Sequence, residues 1–359
     1  MLVHICCSVD SHFFLQKLQK DFPQERLVGF FYDPNIHPYS EYQLRLLDVK
    51  RSCKKLNIEL LEGDYDFEDW LEVVRGLENE PEKGARCAKC FDKRLYESFK
   101  KAKSIGEKKV TTTLLVSPLK SQEQLISSAK NYTNEFDIEF IYIDYRADGG
   151  TQKQSEVSKD EQLYRQDYCG CIYGLSMQRE HQQKLMDEMF SHISKQVLPA
   201  SIEQRLELYA KRNELEDELV EYKIIKEKFL NYRQFSLKTF IKKELVPSYG
   251  LFYSTLPRKK AEGRIEFIDK EIGYFNREEI RFITLSYLNK NLQKNYRDVF
   301  ELIFEPLSVD EELALRQKIA LNPYSLSPII VLDELSKEKI TIELDAIVYE
   351  DTKEKLIII

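Results

Sequence analysis

Short apolar runs alternate with longer amphipathic stretches through the first half of the chain. LVHIC (2–6), LVGFFY (27–32), IELLEG (58–63), VTTTLL (110–115) and IEFIYIDY (138–145) are rich in β-branched and aromatic residues and read as strands. Between them, EYQLRLLDVKRSCKKL (41–56), FEDWLEVVRGL (67–77) and CFDKRLYESFKKAK (90–103) repeat their apolar positions at helical spacing. This alternation predicts βαβ units and a parallel sheet. A site is then expected on the βα loops, beyond the carboxyl ends of the strands.

The texture changes after Leu175. Residues 176–230 read as long charged helices, and the end alternates in IIVLDEL, ITIELDAIVY and KLIII as a small β-rich unit. The expected organisation is a Rossmann-like α/β domain over 1–194 and a mostly helical extension with a β-rich end over 195–359. Within the extension, 233–264 holds eight basic residues, Arg233 and Lys238 among them, against Glu244 and Glu262. Aromatic residues such as Tyr232, Phe235 and Phe252 are interleaved there, so the stretch reads either as a solvated face or as an RNA-binding surface.

Composition narrows the class. The chain has 359 residues, 42% hydrophobic and 32% charged, which suits a globular protein of one large or two ordinary domains. No apolar run approaches the roughly 18–20 residues that span a bilayer. The N-terminus MLVHICCSVDSHFF lacks a basic segment, an apolar stretch and a cleavage site, so a cytoplasmic protein without a membrane partner is expected. A net charge of −7 argues against a general nucleic-acid coat but leaves room for one structured RNA on a local basic patch.

Six of the seven cysteines fall in close pairs: Cys6-Cys7, Cys87-x-x-Cys90 and Cys169-Gly-Cys171. Paired thiols in a reducing compartment point to metal or redox chemistry rather than disulfides. Cys53 reads as an ordinary helix residue. Cys6 and Cys7 end the first strand, Cys87 and Cys90 follow the loop GLENEPEKGAR, and Cys169 and Cys171 follow a polar segment, GGTQKQSEVSKDEQ, after the fifth strand, so all three pairs could meet at one end of the sheet. Gly170 lets the backbone turn both flanking sulfurs toward one centre. A structural zinc or a [4Fe–4S] cluster takes four protein ligands. Six thiols exceed that number, and Asp10, three residues after Cys7, adds a hard oxygen. One cluster and one mononuclear site with mixed sulfur and oxygen ligands use every group.

The segment VHICCSVDSHFFLQKL resembles the pyrophosphate loop of adenine-nucleotide α-hydrolase-like (HUP) enzymes, which implies that fold for the first domain. In those enzymes glycines at or near Cys7 and Ser8 let backbone N–H groups cradle phosphate; here thiols stand in their place. The scaffold reads as kept and the ATP chemistry as lost.

FYDPNIHPYSEYQLR (31–45), GARCAKCFDKRL (84–95), TTTLLVSPLK (111–120) and LYRQDYCGC (163–171), together with ICCSVDS (5–11), resemble the QueH-type epoxyqueuosine reductases in order and spacing. The resemblance covers about residues 1–175. It implies an oxidoreductase that removes the epoxide oxygen of epoxyqueuosine at the wobble position of tRNA, with electrons from an external donor. It also implies a [4Fe–4S] cluster beside a mononuclear iron held by two cysteines and an aspartate. The ligands carried over are Cys6, Cys7, Asp10, Cys87, Cys90, Cys169 and Cys171, with the division between the two centres left open.

His37 and Tyr168 are candidates for the proton-donating acid; their structural alternatives are a loop-fixing residue and a packing residue. Arg45 and Arg146, with Arg86 and Arg165, could meet tRNA phosphates or make surface ion pairs. TTTLLVSP reads as a buried strand with its loop. Two rival functions are an ATP-dependent tRNA sulfurtransferase on the same scaffold and a non-catalytic, zinc-stapled RNA-binding module.

Overall fold

The computed structural model describes residues 1–117, 121–190, 196–277 and 279–359. It divides into two compact units, one of residues 1–189, 205–224 and 356–359, the other of 190–204 and 225–355. The division expected near residue 195 falls outside the described residues. Residues 205–224, assigned by sequence to the extension, pack with the first unit.

In the first unit, β1 (Leu2–Ile5), α1 (Ser8–Asp21), β2 (Val28–Phe31), α2 (Tyr39–Lys55), β3 (Glu59–Glu62), α3 (Phe67–Val74), α4 (Ala85–Ser104), β4 (Lys109–Thr112), α5 (Gln122–Phe136), β5 (Glu139–Phe140), α6 (Gly150–Asp160) and α7 (Ile172–His181) follow in order. The five strands form one sheet in the order β3-β2-β1-β4-β5, parallel throughout. Every residue of β1 and β2 is buried, as parallel strands covered on both faces require. The chain runs from β1 outward to β3 and then returns to the other side of β1 as β4. The crevice between the carboxyl ends of β1 and β4 is therefore the switch point where such sheets bind ligands.

The strands fall where the apolar runs placed them, with two shortenings: in VTTTLL the strand ends at Thr112 and Thr113–Leu115 turn as a 3-10 helix. The run 138–145 forms only a two-residue strand, and the chain continues irregularly to α6. In TTTLLVSPLK, Thr111–Leu115 are buried as expected, while 118–120 lie outside the described residues.

Helix α8 (Ile202–Asp217) carries the long-range anchor of the segment 205–224. The fully buried Arg212 guanidinium lies 2.6 Å from Asp48 Oδ1 of α2, donates to the Gln162 carbonyl at 3.0 Å and covers the Tyr209 ring. Beside it, Arg51 donates to both oxygens of Glu216, at 2.7 and 2.6 Å.

The second unit holds more strand than the sequence suggested. The stretch read as helix up to 230 is strand from Tyr222 onward: β6 (Tyr222–Ile241) alternates half-buried and exposed residues over 222–225 and again over 226–230, a period of two broken once at 225–226. β7 (Glu244–Val246), β8 (Tyr249–Gly250), β9 (Lys260–Gly263), β10 (Ile265–Asp269), β11 (Ile272–Phe275) and β12 (Ile280–Thr284) follow. The chain ends with α9 (Leu285–Leu292), α10 (Val299–Phe304), α11 (Val309–Ile319), β13 (Ile329–Leu332) and β14 (Ile340–Ile358). Two sheets result, β10-β11-β12-β13-β8 and β7-β6-β14-β9. Part of the basic stretch of 233–264 is partnered within this unit. Lys242 pairs with Glu338, Lys259 with Asp345, and Lys260 with Glu262 and Glu343, while Arg233 is buried against backbone carbonyls.

Removing one partner of a buried ion pair strands the other charge, at about 3–5 kcal/mol. Arg212→Met should lower unfolding stability by about that amount, read as a shift in the urea midpoint. An unchanged midpoint would show that α8 is not held by this pair.

Candidate metal centre

The first group of ligand atoms forms where β1 runs into α1. Cys6 leaves the strand, Cys7 is the N-cap of the helix, and Asp10 lies in its first turn. The spacing from Cys7 to Asp10 places both on one helical face. Cys6 Sγ lies 3.8 Å from Cys7 Sγ and 3.5 Å from Asp10 Oδ2, and the ligand atoms of all three lie within 4.8 Å of one another. That spacing suits one tetrahedral ion with ligands at about 2.0–2.3 Å. From the end of β4, Thr113 Oγ1 accepts from the Cys6 amide at 3.3 Å and stands 3.6 Å from its sulfur. The hydrogen bond with Cys6 raises the pKa of the Cys7 thiol, and burial and the Asp10 charge raise it further. Two thiolates and a carboxylate can share this buried place only beside a cation. The donor set fits a metal ion.

The second group comes from two later segments. α4 begins at Ala85, earlier than its apolar pattern suggests, so Cys87 and Cys90 stand on its first turns. Lys83 N–H donates to Cys87 Sγ at 3.3 Å. Cys90 is buried with Cys171 against Trp70 and Val74, and Cys169 packs at the edge of that cluster. Cys171 caps α7. Burial raises the Cys90 thiol pKa, against the nearby Arg94 guanidinium; a hydrogen bond with Cys169, then burial, raises that of Cys171.

The loop that presents Cys169 and Cys171 is held from outside. Gly170 has φ +101°, and a Cβ there would come within 2.8 Å of Ile36 Cγ1. The turn expected of Gly170 is thus enforced by both backbone angle and space. His37 N–H donates to the Gly170 carbonyl at 2.9 Å, and Tyr168 OH donates back to the His37 carbonyl at 3.0 Å. Buried Arg45 donates to the carbonyls of Tyr168 (3.1 Å) and Cys169 (3.2 Å), and to Glu41 at 2.7 Å. Glu41 in turn accepts from Tyr164 OH at 2.8 Å.

These contacts revise several expectations. Arg45 is a buried loop clamp, not a phosphate contact on the surface. Arg86 is also buried, donating to the carbonyls of Leu77, Glu78 and Glu80. Arg146 contacts Asp144 and the Ser117 carbonyl and is partly exposed, and Arg165 is exposed. The hydroxyl proton of Tyr168 is committed to His37, and burial raises its pKa, so it is poorly placed as an acid. The His37 ring stacks on Phe67 with centroids 4.4 Å apart, and burial lowers its pKa. Cys53 is fully buried in α2, its pKa pushed up to about 12 by burial, and stands apart from both groups.

A cleft of about 340 Å³ opens over the first group, lined among others by Cys6, Asp10, Arg94, Gln154, Arg165 and Cys169. Three of its residues carried no clear sequence signal. Asp33 and Arg94 form a buried ion pair on its wall, and Gln154 donates to Asp10. Gln154 sits in GGTQKQSEVSKDEQ, which reads as a polar connection and is in fact α6.

A parallel α/β sheet whose switch point gathers Cys6, Cys7 and Asp10, with Cys169 on the same cleft and Cys90 packed against Cys171, defines a Rossmann-like scaffold with a thiol-rich candidate metal centre. Residues 1–177 match the family described as Epoxyqueuosine reductase QueH. A relative of that name from Helicobacter pylori is 39% identical over 98% of both chains, so the similarity includes the second unit. Relatives of the same name from Acinetobacter baylyi (38% identical, 49% of this chain and 80% of theirs) and Haemophilus influenzae (36%, 49% and 71%) match about half of it. The chain belongs to the QueH epoxyqueuosine reductase family and is an oxidoreductase; neither the sulfurtransferase nor the zinc-module reading is favoured. Among the described residues, no helix is long and apolar enough to cross a membrane.

Gly170→Ala should push the Cys169–Cys171 loop off Ile36 and destabilise the fold by about 1–3 kcal/mol, measured by urea unfolding. A variant as stable as the parent would mean that the loop is not fixed in this way.

Proposed function

We propose that the cleft removes the epoxide oxygen of epoxyqueuosine in tRNA, consuming two electrons and two protons and giving an alkene and water. The observation that carries this reading is the convergence of Cys6, Cys7 and Asp10 at the mouth of β1, facing a cleft that Cys169 also lines. Cys6, Cys7 and Asp10 would hold the mononuclear iron, and Cys87, Cys90, Cys169 and Cys171 the [4Fe–4S] cluster. Bound there, the iron would supply a Lewis acid for the oxygen and the cluster a path for electrons from an external donor.

The remaining roles belong to the chain itself. Glu41 and Arg45 hold the carbonyls of Tyr168 and Cys169, so the ligand loop stays set when electrons arrive. His37 and Tyr168, candidates for the acid, act as positioning residues through their mutual hydrogen bonds with that loop. Protons enter from solvent through the mouth of the cleft. Arg165, exposed at that mouth, and Arg146, beside Ser117, would meet tRNA phosphates. A substrate of this kind places the enzyme in the cytoplasm.

The test is turnover of epoxyqueuosine-containing tRNA by protein purified without oxygen and given a chemical reductant. The parent should form queuosine, Cys169→Ala should be inactive, and Cys7→Ala should lose activity while keeping the absorption of the cluster. Retained activity in Cys169→Ala with full metal content would contradict the assignment.

A further inference from the structure

Gln154 projects from α6 and is 4% exposed. Its Nε2 donates to Asp10 Oδ1 at 2.8 Å and to the Val9 carbonyl at 3.2 Å. A carbonyl oxygen and a carboxylate oxygen only accept, so the nitrogen must face them and both amide hydrogens are used. The orientation of the amide is thereby fixed. Gln154 Oε1 is left buried without a hydrogen-bond partner among the described residues, while the side chain lines the cleft beside Asp10. One turn on, Ser158 Oγ donates to the Gln154 carbonyl at 2.7 Å and ties down the same stretch of helix.

A buried carbonyl oxygen without a donor is destabilising, and one that lines a cleft can take its missing donor from water or from a bound substrate. Amide donors to a metal-binding carboxylate orient it and tune the metal. We infer that Gln154 is a positioning residue for Asp10 whose Oε1 also accepts a hydrogen bond from the departing oxygen of the substrate. This rests on the function proposed above. An epoxide oxygen has no hydrogen to donate, but the same oxygen acquires O–H bonds as its two C–O bonds break and it becomes water. The bond to Oε1 therefore forms only as the reaction proceeds. An interaction of that kind raises kcat without changing KM.

The test uses the full chain, purified without oxygen and with its cluster in place, as Gln154→Leu and as the nearly isosteric Gln154→Met, both of which remove the amide's donor and its acceptor. Matching cluster absorbance and melting temperature establish that each variant is folded, and if Leu fails that check the Met variant carries the test. Ferrous iron binding, measured by titration without substrate, should be about tenfold weaker in the variants. With iron restored to saturation, kcat on epoxyqueuosine-containing tRNA should remain about tenfold low at unchanged KM. Iron affinity equal to the parent's would overturn the positioning role, and full recovery of kcat on iron saturation would overturn the acceptor role. A parent protein that binds no ferrous iron would instead overturn the function on which the inference rests, and Gln154 with it.

Discussion

Two carboxylates on α2, Glu41 and Asp48, stand seven residues apart and so on one face of the helix, and two of the three thiol-bearing segments hang from them. Glu41 pairs with Arg45, whose remaining nitrogens hold the carbonyls of Tyr168 and Cys169. Asp48 accepts from Ser8, the residue after Cys7, from the Tyr164 amide at 2.8 Å, and pairs with Arg212 of α8. Both acids are almost completely buried. Charges so placed are tolerated only when fully partnered, and partners fixed this tightly leave the backbone around them little freedom. One helix thus sets the loop carrying Cys169 and the turn carrying Cys7.

The same economy explains the crevice. Strand order brings the ends of β1 and β4 side by side, which places Thr113 against Cys6 and aligns the first turn of α1 with the cleft. The thiols of Cys7 and Cys171 are biased toward the protonated form by hydrogen bonds with Cys6 and Cys169 and by burial, and that of Cys90 by burial. A bound cation reverses that bias, because thiolates are the ligands. Arg94, paired with Asp33 on the cleft wall, adds a permanent positive charge among them.

Much of this was legible in the sequence. The apolar runs located the sheet, the rule for parallel sheets put the candidate site at its carboxyl end, and of the three cysteine pairs and Asp10 singled out as candidate ligands the structure brings Cys6, Cys7 and Asp10 within 4.8 Å of one another. Gly170 was readable because a glycine between two thiols has a local geometric reason. Arg45 was not, since its partners at Tyr168 and Cys169 lie more than a hundred residues away, and only the i, i+4 pair with Glu41 is local. Gln154 was hidden in a polar segment whose helix depends on packing against α1. Arg212 lay beyond the expected domain boundary. Lysine-rich β6 passed for a helix because its charges mask the period of two.

The central claim is that these seven residues hold two different iron centres. Its most direct test is the iron, zinc and acid-labile sulfide content of protein purified without oxygen, read with its absorption spectrum. The account predicts a brown protein with about five irons and four sulfides per chain. A colourless protein with one or two zincs and no sulfide would contradict it.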